Sequence, residues 1–167
     1  DAPAGPAIFA QAAQMAAQHQ ARIALSLSDP WCVDRHRADL LQFVTDHVDI
    51  LFANEDEAIS LVETDHPTSV HILAGLVAEV VITRGPLGAV ICHAGQQLSV
   101  DAMPQGAVID TTGAGDLFAA GFLFGRTHGY DAQMSGQIAS VLAGEVISHI
   151  GARPQADLPA LIKPLVG

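Results

Sequence analysis

The sequence is short of positive charge. Seven Lys and Arg stand against eighteen Asp and Glu in 167 residues, a formal net charge of -11. So acidic a chain lacks the clustered cations that broad nucleic-acid binding or adhesion to an anionic membrane requires. Any phosphate bound here must be held mainly by backbone dipoles and a few placed side chains. Cysteine is scarce too. Cys32 and Cys92 form no CxxC pair and read as scattered buried thiols, in keeping with a reducing cytoplasm. No apolar run reaches the roughly 18 residues that span a bilayer, because Glu79 interrupts the best candidate, and there is no signal-peptide pattern. The eight His are scattered; His66 and His71 flank Pro67 at a spacing poorly suited to zinc on one helix face.

Several phosphate-binding strings are absent. There is no G-x-x-x-x-G-K-[ST], which excludes a Walker-type loop. The third glycine of G-x-G-x-x-G is missing, since position 118 is Phe, and this argues against a dinucleotide fold. The protein-kinase strings are missing as well.

What is present suits a layered α/β domain. Half the residues are apolar and 15% are charged, as a buried sheet under close-packed helices requires. A helix is expected from about Pro6 to His19, with Ile8, Phe9, Ala12 and Met15 as its inward stripe. Arg22 to Ser28 reads as a strand ended by Ser28-Asp29-Pro30, after which Asp34 can cap a helix to about Asp46. Val48 to Ala53 is a buried strand, Asn54 to Glu63 turns into helix, Pro67 to Ala78 is helical, and Glu79 to Thr83 is a third strand. Short strands follow at Gly88 to His93, Gln96 to Val100 and Ala107 to Ile109. Helices are expected over Asp116–Thr127, Asp131–Ile150 and a short stretch after Pro159. Alternating strand and helix up to Thr83 implies a mainly parallel sheet covered by helices on both faces. No linker marks a second domain, so residues 1–167 read as one domain. The chain opens on Asp1 and runs straight into helix, which reads as a start inside a domain. Ligands of such sheets bind beyond the carboxyl ends of the strands, which draws attention to Ser28, Asn54, Arg84 and Asp110.

The most informative stretch is Asp110-Thr111-Thr112-Gly113-Ala114-Gly115-Asp116-Leu117-Phe118-Ala119-Ala120-Gly121. Gly113 and Gly115 let the backbone turn sharply and present bare N–H groups. An apolar helix follows, with unpaired amides and a positive dipole end in its first turn. Together they form an anion hole suited to phosphate, with Asp116 at its mouth. An acidic residue there also has a plainer explanation, since Asp is a favoured helix N-cap.

This stretch resembles the C-terminal signature of the PfkB, or ribokinase-like, family of carbohydrate and nucleoside kinases. Two further stretches match in order and spacing. Asn54-Glu55-Asp56-Glu57 is similar to the family's N-x-x-E element, and Val81 to Ala89 (VITRGPLGA) to its nucleotide-contacting strand and turn. SLSDPW followed by VDILFANEDEA is most similar to adenosine kinases. The resemblance covers nearly the whole chain but only the C-terminal half of a typical member, the half without most substrate-binding residues and the β lid.

The resemblance implies a ribokinase-like fold, with residues 1–167 as the ATP-binding portion of a single kinase domain. It also implies phosphotransfer from ATP to a hydroxyl of a small substrate. A nucleoside is the first choice; a sugar, or nucleotide binding without turnover in this chain alone, are the alternatives. Asp116 would take the proton from the attacking hydroxyl, a weak base but a well-aimed one. Gly113, Ala114 and Gly115 would supply amides to the transferring phosphoryl group. Glu57 would position Mg²⁺ through water while Asn54 orients the phosphates or the metal shell. Against this stands the plainer reading, an Asn-capped helix with an acidic first turn. Thr83, Arg84, Gly85 and Gly88 would contact ATP. Asp110 and Thr112 correspond to a monovalent-cation site of many members, a K⁺ site with Gly151 as a further carbonyl. The helix from Asp131 to Ile150 would form one side of the adenine pocket.

Overall fold

Capping chemistry sets most helix boundaries. A computed structural model describes residues 5–167; residues 1–4, where the expected domain begins, lie outside the described residues. The elements in chain order are α1 (Gly5–His19), β1 (Ala24–Ser26), α2 (Pro30–His47), β2 (Ile50–Asn54), α3 (Glu55–Val62), α4 (His66–Leu76), β3 (Glu79–Thr83), β4 (Ala89–His93), β5 (Gln96–Val100), α5 (Ala114–Thr127), α6 (Ala132–Val146) and α7 (Leu158–Val166). Asp29, Asn54, Asp65, Asp131 and Asp157 each cap the helix that follows with a side-chain oxygen. Such a cap replaces a partner that the first turn lacks and contributes about 1 kcal/mol.

The strands form one mixed five-stranded sheet in the order β1-β2-β3-β4-β5. β1 and β2 run parallel, with Ala24 opposite Ile50 and Ser26 opposite Phe52. β4 and β5 are joined by Ala94 and Gly95 at φ of 51° and 75°, a two-residue turn of the kind that returns a strand antiparallel.

By contacts the chain divides into two compact units: residues through Ile82 with Cys92–Gly95, and Thr83–Ile91 with Gln96–Gly167. The first has its core at Val33, Val44, Leu51, Leu61, Leu73, Val80, Val81 and Ile82, all fully buried. Glu79, the charge that breaks the longest apolar run, is itself buried, with Arg22 Nη2 at 3.6 Å and His93 Nδ1 at 3.5 Å from its carboxylate. In the second unit α5 packs on α6 around Phe122, Ile138, Ala139 and Val146. The approach is close: a Cβ on Gly121 would lie 2.8 Å from the Ala139 Cα, and one on Gly125 would lie 2.7 Å from the Ser135 Cα. Among the described residues no helix is long and apolar enough to cross a membrane.

Four expectations change. Asp29 rather than Asp34 caps α2; Pro30 fits its first turn, and the helix kinks at His36. Asp34 lies inside that helix and pairs with Arg37, which also reaches Glu63 at 2.9 Å. The inward stripe of α1 is not inward. Ile8 and Met15 are 60% and 54% exposed, while Phe9 meets Phe43 edge-on at 5.0 Å. An Ala-rich helix is apolar nearly all round, so its pattern specifies a face weakly. Residues 107–109 form no strand. Ile109 gives its amide to the Ile147 carbonyl beyond α6 instead of to a neighbouring strand, at 2.8 Å. Finally α6 ends at Val146, four residues short of the expected Ile150.

Candidate active site

The glycine turn and the helix after it are built more tightly than their sequence suggests. α5 begins at Ala114, two residues before the expected start, with Gly113 as its N-cap in the left-handed region at φ 85°, ψ -2°. Ala114, Gly115 and Asp116 are thus the first three helical residues, where the helix itself supplies no acceptor for the amides. Ala114 N–H turns back to the Thr111 carbonyl at 3.2 Å, and the Leu117 amide bonds the Gly113 carbonyl at 2.9 Å. Gly115 and Asp116 are exposed at the positive end of α5. Gly113 could be no other residue without displacement, since a Cβ there would lie 2.8 Å from the Ala152 Cβ.

Asp110 organises the approach to that turn. Its Oδ1 accepts from the Thr112 amide at 2.9 Å and the Thr112 hydroxyl at 2.7 Å, and its Oδ2 accepts from the Gly151 amide at 3.0 Å. The Thr112 hydroxyl, then the Gly151 and Thr112 amides, hold the carboxyl down at about 2. Gly151, expected as a carbonyl donor, therefore meets Asp110 through its N–H.

Beside the turn lies a cavity of about 570 Å³ within the second unit. Thr111, Ala114 and Gly115 of the glycine turn line it, as do Thr83, Gly85, Pro86 and Gly88 after β3. Ser140, Ala143, Gly144 and Ile147 contribute the face of α6, and Met103, Pro104, Val108 and Phe118 complete a mostly apolar wall. The Ser140 hydroxyl is committed elsewhere, donating to the Asp101 carbonyl at 2.7 Å and accepting from the Met103 amide at 2.9 Å. Of the predicted residues, Thr83, Gly85, Gly88, Ala114 and Gly115 share this cavity. Arg84 does not line it: its guanidinium turns back on its own loop and donates to the Leu87 carbonyl at 3.1 Å.

Asn54 and Glu57 belong to the first unit. They form a reciprocal capping box: Glu57 N–H donates to Asn54 Oδ1 at 2.8 Å, while Glu57 accepts from the Asn54 amide and its Nδ2, both at 2.9 Å. The plainer reading of this pair is thus realised in full. Yet Glu57 is buried, and desolvation, reinforced by Asp29 and Asp56, pushes its carboxyl above the ordinary value despite the Asn54 amide. Among the described residues no three His, Cys, Asp or Glu converge to bind a metal directly.

Reading the sequence did not find Ser140, Met103 or Glu145. The 140, 143, 144, 147 spacing on α6 is a helical face, so periodicity was the available signal for Ser140. Glu145 is buried, and one of its oxygens accepts from the Gln155 amide at 2.8 Å, the Ala156 amide at 2.9 Å and His149 Nε2 at 3.2 Å. Burial alone would raise its pKa; these donors together hold it below the ordinary value.

Residues 1–159 match the model of the pfkB family of carbohydrate kinases. A nucleoside kinase of Methanocaldococcus jannaschii is 30% identical over 128 residues, 75% of this chain and 40% of that protein. Two crystal structures superpose with a TM-score of 0.90: a probable sugar kinase of Rhizobium etli (39% identity, 93% of this chain, 48% of that one) and an adenosine kinase of Sinorhizobium meliloti (37% identity, 94% and 49%). The chain spans about half the length of these solved relatives, and less of the curated one.

Proposed function

The chain belongs to the pfkB family of carbohydrate kinases, and from that premise we propose that the whole protein transfers the γ-phosphoryl group of ATP to a hydroxyl of a nucleoside. Residues 1–167 would be the C-terminal, ATP-binding portion of a single ribokinase-like kinase domain. The observation that carries this reading is the start of α5. The first-turn residues Ala114 and Gly115 border a cavity large enough for a nucleotide base and sugar, with Asp116 in the same helical turn.

The cavity would take the adenosine of ATP between α6 and the Gly85–Gly88 turn, held by apolar contact. The polyphosphate would then lie along Thr111, Ala114 and Gly115, with its γ end at the amides. Asp116 accepts the proton of the acceptor hydroxyl as its oxygen bonds to the γ-phosphorus and the bond to the ADP oxygen breaks. The amides of Gly113 and Gly115 take up the charge developing on the transferring group, joined by that of Ala114 once it leaves the Thr111 carbonyl. Mg²⁺, bound with ATP, neutralises phosphate charge. Glu57 would hold Mg²⁺ through water as the family resemblance implies, and a buried carboxylate near Asp29 and Asp56 gains from a cation. Asp110 likewise keeps the anionic oxygen that a K⁺ would need. The unbridged thiols of Cys32 and Cys92 suit a reducing cytoplasm.

The Sinorhizobium adenosine kinase and the Methanocaldococcus nucleoside kinase support a nucleoside. The Rhizobium sugar kinase supports a sugar as the second reading. An ADP-release assay on the full-length protein, with adenosine, cytidine, ribose and fructose as acceptors, separates them. Release with adenosine is expected. No acceptor-dependent ADP, together with no MgATP binding by calorimetry, would sink the kinase reading altogether.

A further inference from the structure

Glu145 has no part in the proposed chemistry, yet it is 4% exposed and carries a charge in the last turn of α6. A buried carboxylate is costly unless its hydrogen bonds are specific. Here one oxygen takes all three: the amides of Gln155 and Ala156, and the ring of His149. The other is buried without a hydrogen-bond partner among the described residues. The carboxylate therefore fastens both ends of the stretch between His149 and Ala156 to one point on α6.

That stretch is what the glycine turn rests on. Gly151 donates to Asp110 Oδ2 at 3.0 Å, and Ala152 lies where a Gly113 side chain would have to go. Just upstream, the Ile147 carbonyl accepts from both Ile109, at 2.8 Å, and Asp110, at 3.3 Å. The path is short and entirely of packed or hydrogen-bonded atoms: Glu145 to the 149–156 loop, the loop to Asp110 and Gly113, and those to the amides of α5. We propose that Glu145 is a positioning residue, whose buried carboxylate holds the 149–156 loop so that the loop fixes the amides of the glycine turn. The inference rests on reading that turn as the phosphate site.

The test uses the full-length protein with Glu145→Ala and Glu145→Gln, the second of which keeps an acceptor oxygen for the two amides. Hydrogen exchange over residues 110–116 is measured without nucleotide, and KM for ATP, KM for the acceptor and kcat are measured separately. Glu145→Ala should speed that exchange and raise KM for ATP, each by about tenfold or more, while the acceptor KM changes by less than about twofold. Glu145→Gln should restore most of both. If Glu145→Ala lowers only the melting temperature, leaving exchange and KM for ATP at wild-type values, the residue is a plain structural staple and the proposal is wrong. It is equally wrong if Gln is as defective as Ala. If Glu145→Ala does not fold, His149→Ala removes one of the three bonds from nearer the surface; faster exchange over 110–116 supports the proposal and unchanged exchange overturns it. Should the wild type show no phosphotransfer, the kinase reading fails, while exchange over 110–116 still decides the role of Glu145.

Discussion

Gly113 and Ala152 meet so closely that Gly113 cannot carry a side chain: a methyl group on it would sit 2.8 Å from the Ala152 Cβ and 2.9 Å from its Cα. Gly113 also stands at φ 85°, a region costly to side chains. Gly113→Ala should therefore combine backbone strain with a collision. We expect about 1–3 kcal/mol of lost stability in urea unfolding and about 10²-fold lower kcat from displaced amides. A variant with ordinary turnover would show that the turn needs no such placement.

Asp116 is exposed in the first turn of α5, so its removal tests chemistry with little effect on packing. Asp116→Asn should lower kcat by about 10²-fold or more, with a stability change within the roughly 0.3–1 kcal/mol of a helix-terminal charge. Turnover and thermal unfolding measured on one preparation decide it. Near-normal kcat would remove Asp116 from the role of base.

Glu57 separates stability from function. Its carboxyl is raised from 4.5 by burial, so the fold favours the protonated form. The ionised form is disfavoured, a cost that sets in as pH rises through the raised value and is present at neutral pH. Glu57→Gln keeps an acceptor oxygen for the Asn54 backbone amide that closes the capping box, gives up the acceptor for Asn54 Nδ2, and removes the charge. It should melt higher than wild type at pH 7, lose that advantage below about pH 4.5, and still turn over about tenfold slower. A lower melting temperature at pH 7 would contradict this account.

Asp110 has the opposite sign. Its carboxyl is lowered from 3.8 to about 2, so the stability it contributes is complete above 3.8 and lost as pH falls toward 2. The melting temperature of Asp110→Asn should lie below wild type at neutral pH, and the gap should close between pH 4 and pH 2. Melting curves of both proteins across that range provide the check. A gap independent of pH would mean that the hydrogen bonds from Thr112 and Gly151 owe nothing to the charge.

Much of this was legible in the sequence, and the limits are physical. β3 and β5 have the expected bounds because EVVIT and QQLSV sit between strong turn signals. Of the stretch behind the anion-hole reading, the structure shows a left-handed Gly113 capping α5, as a glycine before an apolar helix suggests. Asp29 reads in the sequence as part of the Ser28-Asp29-Pro30 turn, and only the fit of Pro30 in the first turn of α2 makes it the cap in place of Asp34. Val108 and Ile109 look like strand residues yet remain about 60% and 58% exposed, since a strand needs a neighbour that no local pattern reveals. Glu145 was illegible for another reason. Two of its partners are backbone amides ten and eleven residues away, and a main-chain donor leaves no mark on composition.

The interlock of Gly121 and Gly125 with Ala139 and Ser135 has a consequence for timing. With its backbone set directly on α6, α5 cannot roll or slide without atoms colliding. On the proposed reading, the dipoles at its start would be aimed before any ligand arrives, leaving little reorientation for the moment of bond exchange. Any substrate would therefore meet a helix start already fixed relative to α6.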